Sequence, residues 1–187
     1  RGALRGLDAE SVEASLAITD DGGWDRDYDA ACRIRGLGGS LAARDVPIAL
    51  VENVKGDVSV AVTKRLENVT TFYGNGKVTH QVEDPRESVY RDIRGDFRGW
   101  FARANLRLER IGGTIDVRND SFETVLVAGA PLAKRAHRIV SETGHIRVEV
   151  AREALGDLPI AALSASGLVR IPSDLSDVLE PRSFSTP

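Results

Sequence analysis

Apolar and polar residues alternate at period two through most of the chain, in runs of four to seven residues bounded by Gly, Pro, Asp or Asn. Such alternation places every second side chain on one buried face of a strand. The expected fold class is all-β. A glycine opens many of the runs: Gly39-Ser40-Leu41-Ala42-Ala43, Gly56-Asp57-Val58-Ser59-Val60-Ala61-Val62, Gly95-Asp96-Phe97-Arg98, Gly113-Thr114-Ile115-Asp116-Val117, Gly144-His145-Ile146-Arg147-Val148-Glu149-Val150 and Gly167-Leu168-Val169-Arg170-Ile171. Glycine at these positions is expected to supply the positive φ of a tight corner. Successive glycines lie 17 (39 to 56), 39 (56 to 95), 18 (95 to 113), 31 (113 to 144) and 23 (144 to 167) residues apart. The short intervals suit one turn-plus-strand unit of a solenoid. The two long ones read either as a unit plus an excursion or as two units with one glycine lost.

Asn75-Gly76, flanked by Thr70-Thr71-Phe72-Tyr73 and Val78-Thr79-His80-Gln81-Val82, is a strong hairpin signal inside the interval of 39. Phe122 to Val127 supplies a further strand inside the interval of 31. Val12, Ala14, Leu16 and Ile18 share one parity and predict a first strand, whereas Ser173 to Leu179 has capping residues before apolar spacing and predicts a short terminal helix that covers the last unit. The expected organisation is a single domain over 1–187. An N-terminal strand and acidic loop occupy 1–30, a β-strand-repeat solenoid 31–171, and a C-terminal cap and tail 172–187. The expected architecture is a right-handed, parallel β-helix-like solenoid with irregular loops, burying Val58, Val60, Val62, Ile115, Val117, Ile146, Val148, Val150, Val169 and Ile171.

The segments Val54-Lys55-Gly56-Asp57-Val58-Ser59-Val60, Ile111-Gly112-Gly113-Thr114-Ile115-Asp116-Val117 and Ser141-Glu142-Thr143-Gly144-His145-Ile146-Arg147-Val148 resemble the adhesin-type family of bacterial β-strand-repeat proteins. That family is a domain of unknown function whose repeats read Ser-Gly-Asp-Ile-x-Val. The resemblance covers residues 31 to 171. It implies a β-solenoid at the cell envelope or outside the cell, acting as a non-enzymatic adhesin-like or scaffold surface, with no catalytic residues to carry over. The uneven spacing and the hairpin around Asn75 depart from the family pattern. Bactofilins, filament-forming β-helices, are less similar, because their cores are denser in long aliphatic residues and more evenly spaced.

Composition narrows the partners. With 25 basic against 28 acidic side chains and a formal net charge of -3, the chain lacks the cationic excess of a nucleic-acid binder. No stretch reaches the roughly 20 apolar residues of a membrane-spanning helix. The chain begins at Arg1 with neither a Met nor a signal-like apolar run, so further residues are expected to precede it. A lone Cys32 excludes an internal disulfide framework and a cysteine-only zinc site. The marked preference for Arg over Lys suggests a high-GC bacterial coding sequence.

Candidate chemistry is sparse. Asp20, Asp21, Asp25, Asp27 and Asp29 crowd ten residues, and such oxygen-rich loops suit calcium. The EF-hand template fails, however, at Ala30 and Gly36, and a solvated polar turn is the plainer reading; no other cofactor is expected. His80, His137 and His145 show no metal-ligand spacing and are expected on strand surfaces. Gly74-Asn75-Gly76-Lys77 lacks phosphate-loop spacing, and Gly38-Gly39-Ser40-Leu41-Ala42 is a poor nucleophile elbow. A polysaccharide-acting β-helix enzyme would need carboxylates or basic residues on adjacent units, and Asp57, Asp96 and Asp116, which follow corner glycines, are the candidates. Carboxylates at such corners more often bond nearby backbone N–H groups. Arg91, Arg94, Arg98 and Arg103 interleave with Tyr90, Phe97, Trp100 and Phe101. Arg91, Arg94, Arg98 and Trp100 are therefore the candidate contact residues for an anionic glycan or a protein. The competing reading packs Phe97 and Phe101 in the core and leaves the arginines outside.

Overall fold

The structure, a computed structural model, describes residues 7–20, 31–63, 69–74, 77–82, 87–120, 124–128, 135–149, 160–164 and 169–170. These residues form strands and connections with no helix among them. One parallel sheet contains β1 (Asp8–Val12), β3 (Cys32–Leu37), β5 (Ile48–Val54), β9 (Glu87–Ile93), β11 (Asn105–Ile111), β13 (Thr124–Ala128), β15 (His145–Glu149) and β17 (Val169–Arg170), side by side in that order. A second parallel sheet contains β2 (Leu16–Thr19), β4 (Leu41–Arg44), β6 (Val58–Val62), β10 (Phe97–Phe101), β12 (Ile115–Asn119), β14 (His137–Ser141) and β16 (Ile160–Ser164), also neighbours in chain order. The chain visits the two sheets alternately, so a strand of the first followed by a strand of the second makes one rung.

Register shows how the uneven spacing is absorbed. Leu41 pairs with Val58, Val58 with Phe97 and Phe97 with Ile115. Segments 17, 39 and 18 residues apart are therefore adjacent rungs, and the interval of 39 is a rung plus an excursion. That excursion includes the antiparallel hairpin of β7 (Val69–Gly74) and β8 (Lys77–Val82), which brackets residues 75–76 as the Asn-Gly signal predicts. The other long interval arises differently. Gly39, Gly56, Gly95 and Gly113 all sit at the corner from the first sheet to the second, but Gly144 sits at the corner leading back, before β15. Gly167 lies outside the described residues.

The corner glycines also serve a purpose other than the one expected of them. Among the described glycines, positive φ is found at Gly36 alone. Gly56, Gly95 and Gly113 are required instead by close stacking: a Cβ on Gly95 would lie 2.6 Å from the carbonyl carbon of Gly56, and one on Gly113 would lie 2.5 Å from that of Gly95. Apart from Asp45, positive φ falls three residues before the corner glycines, on Gly36, Asn53, Asp92 and Arg110 and on Ser11 of the first rung, at 68°, 57°, 56°, 52° and 55°. Their neighbours pair in register, so these five residues form a continuous left-handed column next to last in their strands. A left-handed residue interrupts the pleat. Hence the buried residues Ile34 and Leu37, Val51 and Val54, Tyr90 and Ile93, and Leu108 and Ile111 are spaced by three, not two.

One buried cluster draws on both sheets. Val58, Val60, Val62, Ile115, Val117 and Ile146 are buried as expected, and Val148 is partly buried against the same cluster. Val169 pairs with Ile146, while Val150 and Ile171 lie outside the described residues. Tyr90 of the first sheet meets Phe97 of the second edge-on, with ring centroids 4.8 Å apart, and Phe101 completes the aromatic centre. At the N-terminal end the single expected strand is two, because the chain turns at 13–15 between β1 and β2. The shared parity of Val12 and Leu16 therefore spans a corner. The predicted terminal helix, residues 173–179, lies outside the described residues.

Candidate functional site

The first-sheet outer face is a charge ladder. Glu10, Arg35, Glu52 and Arg91 occupy successive rungs in register. Arg35 reaches Glu10 at 3.0 Å and Glu52 at 2.9 Å, and Arg91 Nε donates to Glu52 Oε2 at 2.6 Å. The candidate contact residue Arg91 is thus held by its neighbour. Three residues on, Arg94 stands at the corner, exposed, with no side-chain partner among the described residues. Arg98 and Trp100 point outward from the second sheet, where Arg98 approaches Asp96 at 3.8 Å. Trp100 is 48% exposed and donates from Nε1 to Asp120 Oδ2 at 3.1 Å, while Arg118 Nε donates to Asp120 Oδ1 at 2.6 Å. The structure therefore brings Arg98 and Trp100 together on one face, sets Arg94 at the corner and carries Arg91 on the other sheet. The interleaved Tyr90, Phe97 and Phe101 are core.

The corner is built from a second ladder, of side chains that each accept from the next rung. Ser15 Oγ accepts from Ser40 N at 3.0 Å, Ser40 Oγ from Asp57 N at 3.0 Å, Asp57 Oδ1 from Asp96 N at 2.8 Å, and Asp96 Oδ1 from Thr114 N at 2.9 Å. The Thr114 N–H and hydroxyl hold the Asp96 carboxyl below the usual carboxylate range. Asp57 and Asp96 are committed to the backbone, and Asp116 lies outward on β12, paired in register with Arg98 and Arg138.

Of the acidic loop, Asp20 is described and donates its backbone N–H to Arg44 O at 3.0 Å. Asp21, Asp25, Asp27 and Asp29 lie outside the described residues, among which no group of three or more His, Cys, Asp or Glu side chains is placed to hold a metal. The histidine expectation needs correction at His137. It is buried, and its Nδ1 accepts from Ile115 N at 3.1 Å, which satisfies a backbone donor inside the core. His145 is exposed, as expected. Cys32 is buried, and its thiol is pushed up to about 11, chiefly by that burial.

A groove of about 550 Å³ runs along the corner, between the left-handed column and the residues that follow each apolar anchor. It includes Ser11, Asn53, Lys55, Asp92, Arg94 and Arg110. Only Arg94 of these was singled out by aromatic and basic clustering. A signal for Asn53, Lys55 and Asp92 lay in the chain: Glu52-Asn53-Val54-Lys55-Gly56-Asp57 and Arg91-Asp92-Ile93-Arg94-Gly95-Asp96 share one pattern, a polar left-handed residue, an apolar anchor, a cation, then Gly-Asp. Comparison of the chain with protein-family models, curated proteins and solved structures finds no match.

Proposed function

We propose that the chain is a right-handed, single-chain parallel β-solenoid that acts at a bacterial cell envelope as a non-catalytic, adhesin-like scaffold, presenting its outer surface to a glycan or protein. The observation that carries this reading is the continuous stack of rungs on which two ladders of polar groups are spent on one another. Glu10 to Arg91 bond side chain to side chain, and Ser15 to Asp96 bond side chain to backbone. Such a surface is stiff and repetitive, which suits display more than turnover. The resemblance of residues 31 to 171 to β-strand-repeat proteins supports the envelope setting. A glycan-cleavage screen tests the reading: no product is expected, and reproducible release of reducing or unsaturated ends would establish a polysaccharide-acting enzyme in its place.

A bactofilin-like filament former is the second reading, favoured by one observation. Leu7, Ala9, Val12, Leu16 and Ile18 of the first rung are only partly buried against the core, whereas Ile34, Leu37, Leu41 and Ala43 of the next rung are buried. Salt-resistant polymers in negative-stain electron microscopy would decide for it.

A further inference from the structure

Lys55 and Arg94 are neighbours on consecutive rungs. Val54 pairs with Ile93, and Arg94 N donates to Val54 O at 2.9 Å, as Lys55 N does to Leu37 O one rung earlier. Their column continues to Gly38 on one side and Gly112 on the other, so no further side chain of that column flanks the pair. Both are exposed and, among the described residues, neither side chain has a hydrogen-bond or ion-pair partner, unlike Arg35, Arg91, Arg110 and Arg118. Their rungs stack at a strand spacing of about 4.8 Å, so the two like charges repel each other. A ligand that places an anion against each relieves this.

The rest of the groove defines what that ligand is. Asp92 does not neutralise the pair, because both its oxygens are taken by Arg110, at 2.6 and 2.8 Å. Glu13 lies at the far end, two rungs from Lys55, and bounds the cationic stretch. Asn53 and Ser11 offer an exposed amide and an exposed hydroxyl. Among the described residues, no aromatic side chain lines the groove. That removes the stacking platform on which single-stranded nucleic acids depend, and it leaves charge and hydrogen bonds to do the recognition. The groove runs along the stack, where the rung repeat is close to the length of one hexose in a chain.

We infer that this groove binds a linear, carboxylate-bearing polysaccharide, with Lys55 and Arg94 each meeting a carboxylate and Asn53 and Ser11 meeting hydroxyls. The inference deepens the scaffold reading and rests on it. It is tested by calorimetric titration of the chain with oligogalacturonate at low and at physiological salt, beside K55A/R94A and R138A, an exposed cation on the second sheet that does not line the groove. A neutral dextran oligosaccharide and poly-glutamate are titrated alongside.

Oligogalacturonate is expected to bind and dextran not to. K55A/R94A should bind roughly tenfold more weakly or worse, since each exposed ion pair contributes up to about fivefold, and its salt dependence should be shallower. R138A should match the parent. Because neither groove side chain has a partner, K55A/R94A should also melt within about two degrees of the parent, as surface changes away from structural features do. Absence of binding by the parent overturns the inference, as does equal weakening in R138A or equal affinity for poly-glutamate. Binding that K55A/R94A leaves intact overturns the groove while the scaffold reading stands. Shortening of the oligosaccharide overturns the scaffold reading, and the variant comparison still decides the groove.

Discussion

Replacing Gly95 with Ala tests the corner geometry directly. The added Cβ would lie 2.6 Å from both the carbonyl carbon and the oxygen of Gly56, with the Asp57 carboxylate closer still. Ordinary contact needs about 3.4 Å or more, so the two rungs must part locally by most of an ångström. Two bonds span that gap: Gly95 N to Gly56 O at 3.2 Å and Asp96 N to Asp57 Oδ1 at 2.8 Å. Losing them removes about 1 kcal/mol each, and the overpacking adds about 1 to 3 kcal/mol. Restricting the unfolded chain returns about 0.4 to 1 kcal/mol. The net destabilisation is about 3 kcal/mol, or a fall in Tm of roughly 6 to 12 °C for a domain of this size. Gly36→Asn is the internal control. Gly36 has a φ of 68° and the nearest atom to an added Cβ is 3.4 Å away, and Asn53 already occupies the next position of the same column. Asn tolerates this conformation, so Gly36→Asn should change stability by less than about 1 kcal/mol. Both variants are followed by far-UV circular dichroism through thermal and urea unfolding. A Gly95→Ala protein that melts within a degree of the parent would refute the close-approach argument, and a Gly36→Asn protein that melts as low as Gly95→Ala would refute the assignment of different roles to the two glycines.

Three further outcomes follow from individual groups. Asp96 has a lowered folded-state pKa, so its contribution is fully present above the unfolded value of about 4 and is lost as pH falls through the folded one; urea midpoints from pH 7 down to pH 2 should therefore drop less steeply in Asp96→Asn than in the parent, and parallel profiles would contradict this. Cys32 is buried with its thiol raised to about 11, so Ellman's reagent at pH 8 should label it only as the chain unfolds, and stoichiometric labelling within minutes of mixing without denaturant would show the site to be open. Glu52 lies between Arg35 and Arg91, so Glu52→Gln should destabilise by about 1 kcal/mol at low salt and less at high salt, and a variant as stable as the parent would show the ladder to be energetically silent.

The inner rows were legible because burial on one face of a strand writes itself as alternation. Val58, Val60 and Val62, or Ile115 and Val117, need no further information. The hairpin of β7 and β8 was legible for a different reason, since Asn-Gly encodes its own turn. The faces of the candidate contact residues were not legible. Arg91 and Arg98 are seven positions apart, but the corner at 94–96 lies between them, and alternation cannot be carried across a corner. The same break divided the N-terminal strand at 13–15. His137 was misplaced because polarity argues for solvent, whereas here Ile115 supplies a backbone N–H for its ring to accept inside the core. The role of the corner glycines was not legible either, since close backbone approach and positive φ both select glycine and the sequence does not separate them.

The left-handed column links these points to binding. Each first-sheet strand from β1 to β11 carries one left-handed residue just before its last apolar anchor, and the residue after that anchor begins the corner. Both positions face away from the core with their backbones fixed by register, so polar side chains are accommodated at most rungs, although a Cβ added at Gly38 or Gly112 would lie 2.8 Å from a carbonyl oxygen of the rung before. Ser11, Gly36, Asn53, Asp92 and Arg110 fill one column, and Glu13, Gly38, Lys55, Arg94 and Gly112 line the next. By contrast, the apolar anchors Leu37, Val54, Ile93 and Ile111 vary only in shape, and the glycines at 39, 56, 95 and 113 do not vary at all. Determinants of stability and determinants of recognition therefore occupy separate columns of one repeat. Neither the apolar anchors nor the corner glycines require a cationic pair at Lys55 and Arg94, which fits a role for the pair in binding.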